Sequence, residues 1–594
     1  MRKFRLPRTQ LGRTLLSLGI TALVGFIHFY FNLPALNFHA EEFYGFLGLL
    51  AVVYMISIFL LSGGLHSQSN VELSGKEKLK LWLRFIRNRC LPVGIAFVVV
   101  VLVVAVGQLL SMPIFRAAAY RDLLTVETGD FARDVTQISF DKIPTLDRLS
   151  AEYLGDRQMG TLSDMVSQFE YSNDSTQINY QGRPVRVAPI DYADLIKWLT
   201  NRGEGLPAYV IVDMVSQEAS VVRLNEGMKY SFSEPLNRNI MRHLRFQYPT
   251  MMFSEPQFEI DENGHPWWIA PRMVKTIGLF GGTDIHGAVL VDAVSGESEY
   301  MEEVPTWVDT LYVPELIMQQ YDYHGTYING FINSILGQRG VTVTTSGYNY
   351  IAMNDDVYVY TGVTSANADQ SNLGFLLCNM RTKETHFYEA PGATEEAAKL
   401  SAMGVVQDLG YVATFPLLLN VAGEPTYFIP LKDQTQLVKM YAMVNVAQYQ
   451  IVATGTTVSA CEGSYIQMLT DKGVTQPDEL PQTRVSGIVA EIRTAVLDGS
   501  SVYFLRLEEG DIFYAVSASQ NRDVVTVNVG DRVTIDHALP LDSGNAAILD
   551  AYTLTIEPAL IRQEEPTVSP LQESYDLLPA QPVMSGTGLP MLLP

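Results

Sequence analysis

Cysteine is scarce in this chain, which has only Cys90, Cys378 and Cys461 among its 594 residues. A chain of this length with three cysteines does not depend on a disulfide framework, so hydrophobic cores must hold it together. Cys378 and Cys461 either pair with each other or are two separate buried side chains. The sequence leaves both arrangements open.

The common catalytic and metal-binding patterns are also absent. The sequence contains no H-E-x-x-H, no paired C-x-x-C, no G-x-S-x-G, no P-loop and no D-x-D-x-D-G calcium loop. We therefore predict no enzymatic activity, no cofactor, no metal and no catalytic residue. The nearest candidate for a metal site is Asp261, Glu262 and His265, which flank a predicted turn, and polar turn chemistry explains these residues equally well.

Lysine and arginine are scarce after residue 111. Residues 1–13 carry five bases and no acid, residues 63–90 carry six bases and two acids, and Glu41 and Glu42 lie between the first two apolar runs. The whole chain has a net charge of −23, so residues 112–594 have a net charge of −30. This acidity excludes nucleic acid as a partner, because binding phosphates needs clustered basic side chains.

Three apolar runs near the N-terminus have the length of membrane spans: Thr14–Leu33, Phe43–Ser62 and Leu91–Ser111. The first could instead be a signal peptide, but no small-x-small cleavage site follows it, so a retained span is favoured. Residues 1–111 are thus predicted to form a three-span membrane anchor, with membrane lipid as one partner.

The distribution of basic residues predicts the orientation of this anchor. Basic residues collect on the cytoplasmic side of a membrane, which places the N-terminus and the loop 63–90 in the cytoplasm. Residues 75–90 read as a basic amphipathic helix at the inner membrane surface. Residues 112–594 are then extracytoplasmic, which predicts a multi-pass protein of the cell membrane with a large C-terminal outer domain.

A stretch from Phe258 to Glu297 recurs along the chain. Gly264, Pro266 and Pro271 have counterparts 159 positions later at Gly423, Pro425 and Pro430, and the same offset places 288–297 on 447–456. A third copy lies at 179–218, with Gly182, Pro184 and Pro189, and a weaker one at 350–389. Internal repetition of this kind determines the architecture of a protein.

Each copy predicts a hairpin followed, after a linker, by a strand that ends in Asp and a turn. Helical patterns precede the later copies, at 234–248 and 394–410. The predicted fold class is therefore a membrane-anchored α+β protein with tandem units of one helix and an antiparallel sheet. Repeats 1 and 2 occupy residues 112–304, and repeats 3 and 4 occupy residues 346–465.

The segment Val291-Asp292-Ala293-Val294-Ser295-Gly296-Glu297 resembles the strand ending of PepSY-type repeats of bacterial envelope proteins. The resemblance covers about half of residues 140–465. It implies an extracytoplasmic module that binds or restrains partner proteins, sometimes peptidases, and it implies no catalytic residues.

Residues 305–345 depart from this pattern and are predicted to be a helical insertion. The insertion is rich in aromatic residues, which are either buried between pairs of repeats or exposed to a partner. The candidate partner-binding residues are the tryptophans of the second copy and the aromatic residues of the insertion: Trp267, Trp268, Trp307, Tyr312, Tyr321 and Tyr327.

Residues 484–556 show five short strands that resemble an OB-type β-barrel, and residues 557–594 have the composition of a disordered tail. The favoured function is a non-enzymatic envelope protein whose repeats bind or scaffold another envelope protein or a second copy of the chain. The alternatives are a subunit of a membrane transport or enzyme complex, and a polysaccharide-binding protein acting through the barrel.

Overall fold

The structure is a computed structural model that describes residues 10–62, 75–135, 143–353, 355–366, 371–474, 483–497, 500–518, 521–537 and 548–557. The chain forms two compact units, and the second begins at Arg484, where the separate all-β domain was predicted to start. The predicted disordered tail lies outside the described residues apart from Glu557. The part of the predicted cytoplasmic loop at 63–74 also lies outside them.

Three N-terminal helices are long and apolar enough to cross a membrane, which fits a membrane protein. They are α1 (Gln10–Asn32), α2 (Glu41–Ser62) and α3 (Gly75–Ser111). The basic segment that precedes the third apolar run is continuous with it, so both belong to the single helix α3.

Four antiparallel sheets follow and share one strand order. In each sheet two short strands pair with the same long third strand, which then pairs with the fourth strand, and the fourth pairs with the fifth. An additional strand, β1 (Glu127–Gly129), runs parallel to the outer strand of sheet 3. Sheet 1 contains β2 (Phe169–Tyr171), β3 (Thr176–Tyr180), β4 (Arg183–Tyr192), β5 (Leu206–Asp213) and β6 (Ala219–Met228); sheet 2 contains β7 (Met252–Phe253), β8 (Gln257–Ile260), β9 (Pro266–Ile277), β10 (Gly281–Asp292) and β11 (Ser298–Met301). Sheet 3 contains β12 (Thr342–Thr344), β13 (Asn349–Met353), β14 (Asp356–Ser365), β15 (Ser371–Asn379) and β16 (Thr385–Ala393); sheet 4 contains β17 (Val412–Ala413), β18 (Leu417–Val421), β19 (Glu424–Lys432), β20 (Val438–Asn445) and β21 (Val452–Gly455).

A helix precedes each sheet, and this changes the interpretation of residues 305–345. The remaining helices of the first unit are α4 (Pro113–Arg121), α5 (Phe131–Asp134), α6 (Arg148–Gly160), α7 (Leu195–Asn201), α8 (Ile240–Gln247), α9 (Pro314–Thr326), α10 (Gly330–Leu336), α11 (Glu395–Val405) and α12 (Val458–Asp471). Helices α6, α8, α9 and α11 occupy equivalent places before sheets 1 to 4. The segment predicted as an insertion therefore supplies the helix and first strand of repeat 3, with α10 added between them.

The polar residue at the Asp position of the repeated strand ending has a structural role in every sheet. The side chain of Asp292 accepts hydrogen bonds from the amides of Val294 and Ser295, which stabilises the turn after β10. The equivalent turns in sheets 1, 3 and 4 are held by Asp213, Asn379 and Asn445.

The offset of 159 positions holds for the first half of repeat 4 only. Asp292 lies opposite Trp267 in sheet 2, and Asn445 lies opposite Thr426 in sheet 4. The strand equivalent to β10 is therefore β20, and the prediction that 447–456 matches 288–297 was wrong. The third and fourth strands are shorter in repeat 4, because β19 and β20 have nine and eight residues whereas β9 and β10 have twelve each, and a match of residue types alone could not detect this.

Each sheet contacts the next in chain order, and sheet 4 returns to sheet 1. Contacts between sheets 1 and 2 include Tyr209 Oη to the Gly264 carbonyl at 2.9 Å. The other three junctions include Lys383–Asp284 at 2.7 Å, Asn372–Tyr427 at 2.8 Å and Gln217–Tyr441 at 3.0 Å. The four sheets thus form a ring, as the blades of a small β-propeller do.

The anchor packs against sheet 2 of this ring. The C-terminal carbonyls of α1 point at two buried arginines of α8: Arg242 Nε donates to Tyr30 O at 3.0 Å and Arg245 Nε to Leu33 O at 2.9 Å. Cations at this position satisfy free carbonyls and interact favourably with the helix dipole. At the end of α3, Ser111 Oγ accepts hydrogen bonds from two amides of the β9–β10 turn.

The second unit contains five strands: β22 (Thr483–Leu497), β23 (Ser500–Leu507), β24 (Phe513–Ser517), β25 (Arg532–His537) and β26 (Ile548–Glu557). They close into a barrel in the order β22-β23-β24-β26-β25, in which β24 and β26 are parallel. Arg484 and Asp536 form an ion pair at 2.6 Å between the first and fourth strands along the chain. A short 3₁₀ helix, Arg522–Thr526, lies between β24 and β25.

We predict that Arg245→Met weakens the contact between the anchor and the ring. The substitution leaves the carbonyls of Leu33 and Met251 without their buried donor, which should cost about 2–4 kcal/mol. The measurement is the thermal unfolding midpoint of the detergent-purified chain. The matched control is Arg223→Met, which removes an exposed pair with Asp164 and should cost less than about 1 kcal/mol. Equal effects of the two substitutions would contradict the prediction.

Candidate functional site

The second proline of the repeated motif breaks the strand that pairs with it. Pro189, Pro271 and Pro430 lie on the third strand of their sheets, and each carbonyl accepts a hydrogen bond from the amide of a residue between the two short strands. Proline has no amide hydrogen to donate to the neighbouring strand, so the backbone hydrogen bonds between the two strands are interrupted at this residue. In sheet 3 the equivalent residue is Gly362, whose carbonyl accepts from the amide of Thr345.

At each break the chain leaves the sheet as a short loop. We call these the break loops: residues 172–175, 254–256, 345–348 and 414–416. Residues from all four line one cavity of about 630 Å³. This volume is within the range of small-molecule binding sites. The repeated sequence motif therefore builds one central cavity from four equivalent loops.

One wall of the cavity carries two buried hydrogen-bond donors without partners. Gln177 on β3 and Arg186 on β4 lie directly opposite each other in the sheet. They are 5 % and 3 % exposed, and both Gln177 Nε2 and Arg186 Nε lack a hydrogen-bond partner within the described structure. Arg186 Nη1 donates to Ser175 O at 3.0 Å. Burial lowers the pKa of Arg186, and the charge of Glu152 offsets only part of the lost hydration.

Acidic and aromatic groups line other parts of the cavity. Burial, together with the charges of Asp191 and Glu255, raises the pKa of Asp174 to about 6. Tyr348 and Tyr350 form an edge-to-face pair with ring centroids 5.6 Å apart. The cavity therefore combines an unpaired guanidinium nitrogen, an unpaired neutral amide donor, carboxylates and aromatic surface, which is the composition of a site that orients a polar ligand.

A pair of carboxyl groups lies beneath the cavity, where three repeats meet. Glu259 on β8 accepts hydrogen bonds from the amides of Asp309 and Thr310, both at 2.9 Å. Asp309 in turn accepts from the amide of Asn179 on β3 at 2.6 Å. Burial raises the pKa of Glu259 to about 7, and burial together with the Glu259 charge raises the pKa of Asp309 well above its ordinary value.

The candidate partner-binding residues do not line this cavity. Trp268 is fully buried between Phe258 and Phe232, and Tyr321 is 4 % exposed in the core beneath sheet 3. As anchors for an outside partner these two were predicted wrongly, because core packing covers them. Trp267 and Trp307 pack against each other on the opposite face of sheet 2, with ring centroids 5.8 Å apart.

The last two candidates are partly buried. Tyr312 covers Lys383 Nζ, which lies 5.5 Å from its ring centroid. Tyr327 stacks between Tyr323 and Phe331 in an aromatic row beside α4. Their role in binding a partner stays a prediction.

The polar residues of the β8–β9 turn, which were the nearest candidate for a metal site, include Asp261, which stabilises the turn. Asp261 Oδ1 accepts from the amides of Asn263 and His265, at 2.8 and 3.0 Å. Among the residues that the structure describes, no group of three His, Cys, Asp or Glu side chains is arranged to hold a metal. Cys378 and Cys461 are buried free thiols in different repeats.

Sequence reasoning missed Arg186 and Gln177. A signal existed in the sequence, since Arg186 is a charged residue within the apolar third strand of repeat 1. Charged residues are rarely buried without a partner. Only the packing of the other three break loops around this strand shows that Arg186 faces a cavity rather than solvent.

Comparison with known proteins gives no assignment. No family model and no curated protein match the chain. Among solved structures, a mutant of B. megaterium levansucrase aligns with 73 % of this chain and 98 % of its own, at 9 % identity and a TM-score of 0.17. A TM-score this low supports no argument about fold or activity.

We predict that the stability of the ring falls as the pH rises from about 5 to 8. Glu259 and Asp309 hold their protons more tightly in the folded chain than in the unfolded chain, so ionisation opposes folding once the pH passes the ordinary carboxyl range. For Glu259 alone the loss should reach roughly 3 kcal/mol above pH 7. The measurement is the unfolding midpoint as a function of pH.

Asp309→Asn should flatten this profile, because it removes one buried acid and its repulsion of Glu259. The variant should be more stable than the parent at pH 8 and similar to it at pH 5. Glu226→Gln, which changes an exposed residue of β6, is the control and should leave the profile unchanged. A profile that is unchanged by Asp309→Asn would count against buried carboxyls as its cause.

Proposed function

We propose that this chain is a non-enzymatic membrane protein of a bacterial cell envelope whose extracytoplasmic PepSY-like repeats bind or scaffold another protein. The observation that carries the proposal is the contact between sheet 2 and the ends of the spans. Arg242, Arg245 and Ser111 join the ring to α1 and α3 through hydrogen bonds. Such a contact supports a ring that is held on the membrane in one orientation, as a scaffold requires.

The same contact supports the predicted topology. The loop between α1 and α2 hydrogen-bonds to the ring, with Asn37 Nδ2 donating to Thr250 O at 2.8 Å. The loop and the ring therefore lie on one side of the anchor, opposite the basic residues that favour the cytoplasm. Helix α4 follows α3 directly in the chain, and α10 packs against α4. Phe115 of α4 and Ile332 of α10 are exposed, so the surface formed by these two helices is apolar and suited to contact lipid.

One surface of repeat 1 is suited to a protein partner. Helix α7 lies between the third and fourth strands of sheet 1, a place where the described parts of the other sheets have no helix. Leu195, Ile196 and Leu199 are 62 %, 68 % and 52 % exposed on it. Adjacent exposed aliphatic side chains of this kind mark interaction surfaces. The partner would be an envelope protein, such as a peptidase or assembly factor that the repeats regulate.

The barrel adds a second candidate binding module. Five strands in a closed Greek-key order support the likeness to an OB-type barrel, and such barrels bind oligonucleotides or oligosaccharides. The acidic charge of the chain favours the second of these ligands. Because a fold alone does not fix a function, an envelope polysaccharide stays the alternative ligand of the chain.

A photo-crosslinking residue at Ile196 tests the partner surface in intact membranes. We expect a discrete heteromeric adduct from position 196 and none from the matched position Glu226, which is exposed on β6 of the same sheet. The recovered protein should then bind the purified chain directly, and Ile196→Glu should weaken that binding at least tenfold. Adducts only with a second copy would indicate a homo-oligomer, and equal adducts from both positions would contradict the surface.

Cysteine labelling tests the topology in a Cys90→Ser background, since Cys378 and Cys461 are buried. Lys76→Cys and Asn225→Cys place thiols at exposed positions on the predicted inner and outer sides. A membrane-impermeant maleimide should label position 225 in intact cells and position 76 only after permeabilisation. Labelling of both positions in intact cells would refute the three-span topology.

A further inference from the structure

We propose that the central cavity binds a small zwitterionic molecule, an amino acid or a short peptide, whose carboxylate pairs with Arg186 and Gln177. This site lies inside the ring and is separate from the partner surface on α7, so either can exist without the other. Three features of the cavity carry the inference: the unpaired donors, the acidic groups whose charge is opposite to that of Arg186, and the size of the cavity.

Arg186 is the first feature. A buried charge without a partner costs several kcal/mol relative to a hydrated one. In the described structure the hydrogen bonds of Arg186 all come from Nη1 and end on Ser175, while Nε has no acceptor. The Nε side of a guanidinium is one of the edges that bind a carboxylate through two parallel hydrogen bonds. A bound carboxylate would accept a hydrogen bond from Arg186 Nε, and its negative charge would offset the cost of burying the guanidinium.

Gln177 strengthens the assignment because it lies beside Arg186. The two residues are cross-strand partners on β3 and β4, and side chains at such positions project from the same face of a sheet. Gln177 Nε2 is buried and lacks an acceptor within the described residues, and both side chains line the cavity. Two neighbouring donors without acceptors fit the two oxygens of one carboxylate.

The acidic side of the cavity selects the other end of the ligand. Asp174 and Glu255 line the cavity together with Arg148, whose charge lowers the pKa of Asp174 but whose ion pair is with Glu152. The repulsion from Asp174 and Glu255 disfavours a ligand that is only anionic, such as a phosphate or a dicarboxylate. A cationic amine would relieve this repulsion. A ligand with a carboxylate and an amine satisfies both sides of the cavity at once.

The space and its aromatic surface agree with a ligand of this class. A cavity of about 630 Å³ is within the size range of sites that bind small molecules, which includes an amino acid or a short peptide. Tyr348, Tyr350 and Phe415 supply apolar surface for a side chain. Aromatic rings contribute large contact areas at low entropic cost.

Calorimetric titration of the purified full chain with free amino acids, dipeptides and tripeptides tests the proposal. We expect at least one compound to bind and to raise the unfolding midpoint. Amidation of its carboxylate or acetylation of its amine should weaken binding on the order of 10–100-fold, the loss expected for one charge-assisted contact. Inorganic phosphate should not compete.

Two substitutions connect binding to the cavity. Arg186→Met should abolish binding, and the unfolding midpoint of the unliganded variant checks that it folds, because the substitution removes the hydrogen bonds to Ser175 as well as the buried charge. The control Arg183→Met changes an exposed arginine of the same strand, which pairs with Asp213, and should leave binding intact. Gln177→Leu provides a second test that keeps Arg186, and it should weaken binding at least tenfold.

Several outcomes would overturn the proposal. The first is that no compound of the series binds the folded chain. Retained binding in folded Arg186→Met and Gln177→Leu would place the ligand elsewhere. Binding of phosphate that depends on Arg186 would replace the zwitterion with a simple anion. None of these outcomes bears on the crosslinking at Ile196, so failure of the ligand site and failure of the partner surface are distinguishable.

Discussion

Pro189, Pro271 and Pro430 have no amide hydrogen to give to a neighbouring strand, and at each of them the neighbouring strand is interrupted. Because of the interruption, two short strands joined by a loop pair with each third strand, instead of one continuous strand. Because the same interruption occurs in four sheets that form a ring, the four loops meet on one axis and enclose a cavity. Gly362 takes the place of proline in sheet 3, and the Glu395 carboxylate interacts with the amide that proline would lack. A local constraint on hydrogen bonding, repeated four times, thus determines where a ligand could enter the molecule.

The groups around this axis are costly to bury. Arg186 lies in the cavity wall without a carboxylate partner, and Glu259 and Asp309 share a buried site although both are acids. A core selected for stability alone would replace such groups with apolar side chains, since buried charges rarely stabilise a fold. Their concentration where the repeats meet separates this region from the apolar cores of the individual sheets. It is the reason to look for binding at the axis rather than on the tryptophans of repeat 2.

The anchor and the ring meet through backbone groups rather than through a flexible tether. Arg242 and Arg245 bind the carbonyl end of α1, where the helix has no internal donors left. The β9–β10 turn reaches the end of α3, and Ser111 binds two of its amides. These contacts use groups that any helix end and any turn must satisfy, so they fix the position of repeat 2 without a disulfide. Both cysteines of the repeats remain free thiols.

The sequence by itself determined the three spans, the four repeats, the turn that follows Asp292, and the strands of the barrel. Each of these depends on local patterns: an apolar run, a residue spacing or a turn residue that acts within a few positions of itself. Residues 305–345 were misread as an insertion, and 447–456 was matched out of register, because the pairing of strands depends on partners far along the chain. The tertiary structure alone decided that Trp268 and Tyr321 are core residues and that Gln177 and Arg186 face a cavity. Burial is a property of what packs against a side chain. Trp268 is covered by Phe258 and Phe232, and the wall that holds Arg186 shares its cavity with Tyr350 of another repeat.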